Sequence, residues 1–383
     1  MVLGWAQARR AAYDSVVPLT AVTEPLAAAL GLRLAAPLVA AEDLPGFDNA
    51  AMDGYAVAGA PPWRVVGRSL AGDPPPPAAV GGADRADRAD GAGEAWEVAT
   101  GAHLPPGTRS VLPVEDADVD GALVSGCVEP GRHVRHRGEE ALAGEVLLAA
   151  GTRVTPQVVA LAAAVGVSAL SVVPAPRVAA LVTGSELGDG PGRVRDALGP
   201  ALPGWVAWAG GTSTGVTRLI DDAEMLRGAL GGADAEVVVV TGSSSVGRED
   251  HVRPLLAELG ATPVADGVDC RPGSLAGLWR LADGRLVAAL PGNPFAALVA
   301  FVTVVAPALG GLRGDPLSPL GPVTGDLSPH RSATRLVPVR LTADGVVALG
   351  HDHSAMLRGV AAADALAVVP PEGGTALLQP LPV

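Results

Sequence analysis

Thr241 to Gly247 reads Thr-Gly-Ser-Ser-Ser-Val-Gly, directly after the apolar run Val237 to Val240. Two glycines, several hydroxyls and closely spaced backbone N–H groups at the end of a strand suit the cradling of a phosphate or another oxyanion. An ordinary strand-to-helix turn has the same composition, and the Gly-x-x-x-x-Gly-Lys of a Walker A loop is absent. Pro291-Gly292-Asn293-Pro294 follows a second apolar run, and its prolines fix the backbone on both sides of a Gly-Asn pair. The doubled constraint points either to N–H groups held for a ligand or to a rigid corner between strand and helix. A third glycine turn, at Gly184, ends the run Val178 to Thr183.

Carboxylates lie near these turns: Glu186 after the first in chain order, Asp250 after the second, and Asp221 and Asp222 at the start of a helix. Helix capping accounts for at least one of the last two. Beside an anion cradle, carboxylates repel the ligand unless a divalent cation bridges them to it. In Asn49-Ala50-Ala51-Met52-Asp53-Gly54-Tyr55-Ala56, Asp53 is a lone carboxylate between Met and Gly, and a β-bulge or turn at a domain start would give the same pattern. The seven histidines show no metal-ligand spacing. His351 and His353 would share one face of a strand, as a solvated pair without a third ligand.

These residues need elements to hold them. The runs Val178 to Thr183, Val237 to Val240 and Leu286 to Leu290 read as buried strands. Helices fit Asp221 to Leu230, His251 to Leu259 and Phe295 to Val305, the last ended by Pro307. Alternation of apolar strands and helices implies a parallel sheet covered on both faces, with ligands at the carboxyl ends of the strands. The three glycine turns are therefore expected to converge on one crevice. Val17 to Ala40 reads as an Ala/Leu-rich helical stretch that stops at Leu44-Pro45-Gly46, and Thr155 to Gly166 as a helix started by a Thr-Pro pair. Between them, Phe47 to Val128 alternates short apolar runs with Gly and Pro, as a small β-rich domain does. Within it, Asp73 to Gly93 carries a proline run and Ala-Asp-Arg repeats, and reads as a surface loop or a disordered insert. Short strands recur after Ser318, at Arg335 to Leu341, Val346 to Gly350 and Ala365 to Val369.

Composition narrows the class. The chain of 383 residues carries 27 Lys plus Arg, all of them arginine, against 40 Asp plus Glu, for a net charge of −13. That balance excludes a nucleic acid or an anionic membrane surface as the main partner. Ile occurs once, at Ile220, so the absence of lysine reflects codon usage more than function. Cys127 and Cys270 make no disulfide framework and no Cys-x-x-Cys zinc site, so the chain reads as cytoplasmic. Met1 to Asp14 lacks the apolar core of a secretory leader. The uncharged run Leu286 to Leu312 is long enough to span a membrane, yet the break at Pro291 to Pro294 favours a buried strand, turn and helix.

Taken together, the motifs resemble, in order and spacing, those of the molybdopterin molybdenumtransferases, the bacterial molybdenum insertases related to the gephyrin E domain. The resemblance runs from about Val17 to Pro370. It is carried by Phe47 to Val57, Thr100-Gly101-Ala102, Gly138-Glu139-Glu140, Thr183 to Leu187, Ser245-Val246-Gly247 with Asp250, Arg271-Pro272-Gly273, and Leu290 to Pro294. It implies insertion of molybdate into adenylated molybdopterin with release of AMP, with Mg²⁺ present. The implied fold is an α/β multidomain one: a central three-layer parallel-sheet α/β domain, smaller β-rich domains, and a helical and extended linking domain. Its divisions would be 1–46 with 132–174 for the discontinuous linking domain, 47–131 for a small β-rich domain, 175–315 for the molybdopterin-binding α/β domain, and 316–383 for a C-terminal β domain.

The resemblance also implies roles. Asp53, Glu186, Asp221, Asp250 and Arg271 would be the catalytic set, with Glu186, Asp221 and Asp250 as metal ligands. Substrate would be held by Thr100, Gly184, Thr241, Gly242, Ser243, Ser245 and Gly247, by Pro272, Gly273 and Ser274, by Pro291, Gly292, Asn293 and Pro294, and by Ser354. A homodimer is implied in which Asp53 completes the partner subunit's site, and the molybdopterin adenylyltransferase is a candidate partner. The chain also departs from the family pattern. Ser274 and Leu275 replace the second Lys and the Pro of Lys-Pro-Gly-Lys-Pro, and Arg271 replaces the first Lys. Ser243 replaces a Gly, Arg248 an acidic or small residue, Glu140 an Asp, and Leu198 the Asn of an Asp-Ser-Asn segment. These changes leave two alternatives open: a non-catalytic paralogue that carries molybdopterin or a nucleotide, and an enzyme of the same fold acting on another anionic pterin or nucleotide.

Overall fold

The structure, a computed structural model, describes residues 2–76, 93–242, 251–317, 319–373 and 376–381. The chain divides into two units, Met1–Val22 with Val172–Val383, and Thr23–Ser171.

The first helix, α1 (Trp5–Asp14), precedes the stretch expected to be helical. Its buried residues Trp5, Ala8 and Ala12 recur at helical spacing and join the core of the first unit. Val17 to Ala40 itself is mostly short strands and irregular chain, which corrects the expectation from composition. Only Leu26–Ala29 is helical, and the flanking strands Val22–Pro25 and Arg33–Leu34 both pair with Ala169–Val173. Pro18, Pro25 and Pro37 remove the backbone donors a longer helix would need.

The second unit holds the expected β-rich segment. Strands β1 (Gly54–Ala58), β2 (Trp63–Ser69), β3 (Gly93–Val98) and β4 (Ser110–Pro113) form a six-stranded sheet with Asp118–Asp120 and Leu123–Ser125. Gly54 is required here, because at φ +156° a Cβ would lie 2.0 Å from the Leu112 carbonyl oxygen of β4. Residues 77–92, most of the proline and Ala-Asp-Arg segment, lie outside the described residues. Helix α2 (Pro156–Ala164) starts as expected, with the Thr155 side chain accepting from Val158 N and Pro156 in the first turn.

The first unit is built on a six-stranded sheet. Its elements in chain order are β5 (Arg177–Thr183), α3 (Leu202–Trp208), β6 (Thr212–Leu219), α4 (Ala223–Gly232), β7 (Val237–Thr241), α5 (Val252–Glu258), β8 (Thr262–Asp266), β9 (Val268–Arg271), β10 (Gly277–Arg280), β11 (Leu286–Leu290) and α6 (Pro294–Ala300). The strand order is β6-β5-β7-β11-β10-β8. The first four run parallel, whereas β10 is antiparallel to β11 and β8 to β10. The expected parallel sheet thus ends in an antiparallel edge, since the turn from β10 to β11 is too short for a crossover. Val237 and Val239 pack with α1, α3 and α6, and Val238 and Val240 with Leu226, Leu230, Leu255 and Leu256 of α4 and α5. Alternate residues of one strand therefore feed two cores, giving three layers.

Pro307 does not end the last helix of this layer. α6 passes through a π-helical turn, Phe301–Val305, into Ala306–Leu312, and Pro307 falls in the first turn of that final piece. In the π turn, Thr303 Oγ1 accepts from Trp5 Nε1 at 2.9 Å and donates to Val299 O at 2.6 Å. Pro294–Leu312 is long and apolar enough to cross a membrane, but 89% of it is buried inside the protein.

Strands β12 (Thr334–Thr342), β13 (Gly345–Ala348), β14 (Ala365–Val369) and β15 (Ala376–Pro380) form a second, seven-stranded sheet with β9 and the short strands Leu3–Gly4 and Pro322–Val323. His351 and His353 lie in the loop after β13, not on a strand, and His351 has φ +50°.

Candidate functional site

The three glycine turns meet at the carboxyl ends of β5, β7 and β11. Thr183, Glu186, Thr241, Gly242, Pro291 and Asn293 all line one crevice of about 500 Å³. Its geometry depends on Gly242: at φ +105°, a Cβ there would lie 2.1 Å from the Thr183 carbonyl oxygen. Thr183 Oγ1 donates to Thr241 O at 2.9 Å, tying the ends of β5 and β7 together. Thr241 Oγ1 is buried and has no hydrogen-bond partner among the described residues.

Glu186 faces this crevice, together with Leu187, Arg195 and Leu198. Asp221 stands beside the first turn, its Oδ2 accepting from Ser185 N at 2.7 Å while Asp221 N donates to Ser185 Oγ at 3.2 Å. Asp222 has the capping role, accepting from Met225 N at 2.8 Å at the start of α4. Leu198 is 5% exposed and belongs to the core, and its N–H and that of Gly199 donate to Asp196 Oδ1 at 2.9 and 2.8 Å. The turn therefore rests on Asp196, and position 198 supplies an apolar wall.

A second cavity, about 470 Å³, shares Leu275, Pro291 and Asn293 with the crevice. It receives Arg271, Pro272, Gly273, Ser274 and Ser354, five of the residues the family pattern marks. The turn before α6 also anchors a neighbouring loop. Phe295 N and Ala296 N donate to the Ser354 carbonyl at 3.0 and 3.1 Å, and Asn293 Nδ2 donates to Ser354 Oγ at 3.3 Å. These donors hold the loop that carries Ser354. Sequence reasoning missed four further side chains of this cavity, His330, Arg335, Asp352 and His353. They come from separate loops and a strand start, and no spacing along the chain links them.

In the other unit, Asp53 and Thr100 stand together: Asp53 Oδ1 accepts from Thr100 N at 2.6 Å and from Thr100 Oγ1 at 2.9 Å. These bonds favour the ionised form and hold the Asp53 carboxyl below the ordinary carboxylate range. Ser243, Ser245, Gly247, Arg248 and Asp250 lie outside the described residues. Among the described residues, no three His, Cys, Asp or Glu side chains form a metal site. Mg²⁺ is commonly held by one or two carboxylates with phosphate oxygens and waters, and the oxygen donors of Glu186 and Asp221 fit that chemistry.

Three family patterns match the chain in order: the MoeA N-terminal region (domain I and II) over residues 3–166, a probable molybdopterin binding domain over 179–311, and the MoeA C-terminal region (domain IV) over 321–376. The chain is 33% identical over 375 residues to molybdopterin molybdenumtransferase 2 of Mycobacterium tuberculosis, covering 91% of each chain. It is 32% identical over 327 residues to the molybdopterin molybdenumtransferase of Synechococcus elongatus, covering 79% of this chain and 78% of the other. The crystal structure of the molybdopterin biosynthesis MoeA protein of Pyrococcus horikoshii OT3 superposes with a TM-score of 0.77 at 23% identity over 99% of both chains, so the two share a fold. With a relative 33% identical matched over nine-tenths of its length, the chain belongs to the molybdopterin molybdenumtransferase (MoeA) family.

Proposed function

We propose that this protein is a transferase of molybdenum cofactor biosynthesis, which inserts molybdate into adenylated molybdopterin and releases AMP. The observation that carries the reading is the adjacency of two cavities across Pro291 and Asn293. One is lined by apolar walls, Leu187 and Leu198 among them, with Glu186 and Arg195, the other by Arg271 and Ser354. A ligand with a flat apolar body and anionic groups meets complementary surfaces in both. Glu186 and Asp221, with Asp250, would hold Mg²⁺, which would supply charge neutralisation at the phosphate of the leaving AMP. Arg271 offers a guanidinium fork to an oxyanion. Asp53, whose carboxyl Thr100 holds below the ordinary range, completes the partner subunit's site. The protein works as a homodimer in the cytoplasm, with the molybdopterin adenylyltransferase as the source of its substrate. Its domains divide at 1–46 with 132–174, 47–131, 175–315 and 316–383.

The test supplies adenylated molybdopterin, molybdate and Mg²⁺ to the purified chain. AMP and metal-loaded cofactor should appear in equal amounts. AMP without metal insertion, or binding of adenylated molybdopterin with no turnover, would overturn the reading in favour of a hydrolase or a carrier. Sedimentation of the same sample should give twice the chain mass.

A further inference from the structure

The N-terminal residues pair with the strand that delivers Arg271. Leu3–Gly4 runs parallel to β9, with Leu3 opposite Val268 and Gly4 opposite Asp269, and Leu3 N donates to Gly267 O at 3.1 Å. Cys270 and Arg271 follow at once, and the chain then turns back on itself: Val268 N donates to Ser274 O and Ala276 N to Gly273 O, each at 3.0 Å.

The same segment reaches that turn by a second route. Trp5, the first residue of α1, is buried, and its Nε1 donates to Thr303 Oγ1 at 2.9 Å. Thr303 Oγ1 in turn donates to Val299 O at 2.6 Å. The Val299 side chain lies against Gly273, where at φ +99° a Cβ would come within 3.1 Å of Val299 Cγ1. A π turn inside a helix is rare and recurs at functional sites. This one, Phe301–Val305, sets Thr303 to accept from Trp5 while it holds Val299. Replacing both partners of such a buried bond by apolar groups of the same shape is close to neutral for stability. The contribution of the pair therefore lies in fixing position.

We propose that Trp5 and Thr303, with the Leu3–Gly4 strand, are positioning residues for the Arg271–Ser274 turn. The N-terminal segment is a tie that grips this turn twice, through the backbone of β9 and through Val299 of α6. Arg271 and its neighbours meet the substrate, whereas the tie touches none of it and acts by holding them in register. The role rests on the transferase reading for its substrate, but the turn can be watched without one. Cys270 is buried, with its Sγ 3.3 Å from Pro272 O, and a thiol reagent reaches it when β9 or the turn opens.

Thr303→Val removes both hydroxyl bonds at constant shape, and Leu3→Pro removes the N–H that binds Gly267 O. Each should speed native labelling of Cys270 about fivefold and raise the KM for adenylated molybdopterin about fivefold, with kcat within about twofold of wild type, as for residues that act through a packed neighbour. Thr303→Ser keeps the hydroxyl and Leu3→Ala keeps the N–H, so both should stay near wild type. Leu256→Ala, in the other core of the sheet, should lower the melting temperature and leave KM unchanged. Thermal melts of each variant confirm folding. Labelling and KM unchanged in Thr303→Val and Leu3→Pro, a rise in KM in Leu256→Ala equal to theirs, or Thr303→Ser as impaired as Thr303→Val would each overturn the positioning role. Wild type that releases no AMP from adenylated molybdopterin would sink the transferase reading, while faster Cys270 labelling in Thr303→Val but not in Thr303→Ser would still uphold the tie.

Discussion

Asp53 and Thr100 are joined through a single oxygen: Asp53 Oδ1 takes both the backbone N–H of Thr100 at 2.6 Å and its hydroxyl at 2.9 Å. The backbone bond is the larger cause of the lowered carboxyl pKa and the hydroxyl bond the smaller. Thr100→Val removes only the second, so the Asp53 carboxyl should move part of the way back toward its ordinary value. NMR titration of the Asp53 side-chain carbon checks this, and a value unmoved by the substitution would remove the hydroxyl from the account. Because the folded value is the lower one, the stabilising effect of these bonds is present above the unfolded-state pKa. It is lost as pH falls through the folded value.

Asp221 and Asp222 are neighbours with separate jobs. Asp222→Ala removes the side-chain cap of α4 and should cost about 1 kcal/mol of stability while AMP release continues. Asp221→Ala should abolish Mg²⁺-dependent AMP release, because that carboxylate sits on the first glycine turn beside Ser185. Melting temperatures and turnover measured on both proteins separate the roles. Equal turnover in the two would show that Asp221 is structural as well.

Legibility followed burial. β11 could be read to the residue, since a strand covered on both faces has no polar alternation to blur its ends. The helix at Pro156 was legible because its Thr cap is local chemistry. Val17 to Ala40 misled because Ala and Leu favour helix while Pro18, Pro25 and Pro37 veto it. α1 was hidden by Arg9 and Arg10, which made a short amphipathic stretch look like a charged end. In the site, the glycine turns announced themselves, since each ends an apolar run. Arg335 and Asp352 did not: their bond joins a strand start to a loop 17 residues later, and only the folded sheet sets Arg335 beside Arg271.

The two cysteines should differ in reactivity. Cys270 is buried, its Sγ lies 3.3 Å from Pro272 O, and burial pushes its thiol up to about 12. Cys127 is exposed. A thiol reagent at pH 8 should therefore modify one cysteine in the native protein and two in denaturant, with mass mapping placing the native label on Cys127. Rapid native labelling of Cys270 would mean that β9 opens readily.

Ser274 lines the cavity with Arg271, where the family pattern has a second lysine. Ser274→Lys should add a charge-assisted contact, strengthening molybdate binding about tenfold, or ~1.5 kcal/mol, and making it more sensitive to salt. Titration at two ionic strengths reads both effects. Affinity unchanged at low salt would mean that position 274 is out of reach of the bound anion.

Leu198 stands where the family pattern places an asparagine, and the structure gives it a different task. It is buried in the same core as Val206 and Leu202 and also lines the crevice, while the Asp196 carboxylate holds the turn through Leu198 N and Gly199 N. Leu198→Asn would put an amide into apolar surroundings, at a cost of about 1–3 kcal/mol, and should lower the melting temperature without raising turnover. Asp196→Ala should loosen the turn and weaken substrate binding, since it frees both backbone donors at the crevice wall. Melting curves and steady-state AMP release on the two variants decide the matter. A Leu198→Asn protein as stable as wild type and faster would mean that position 198 still acts as a polar contact to the substrate.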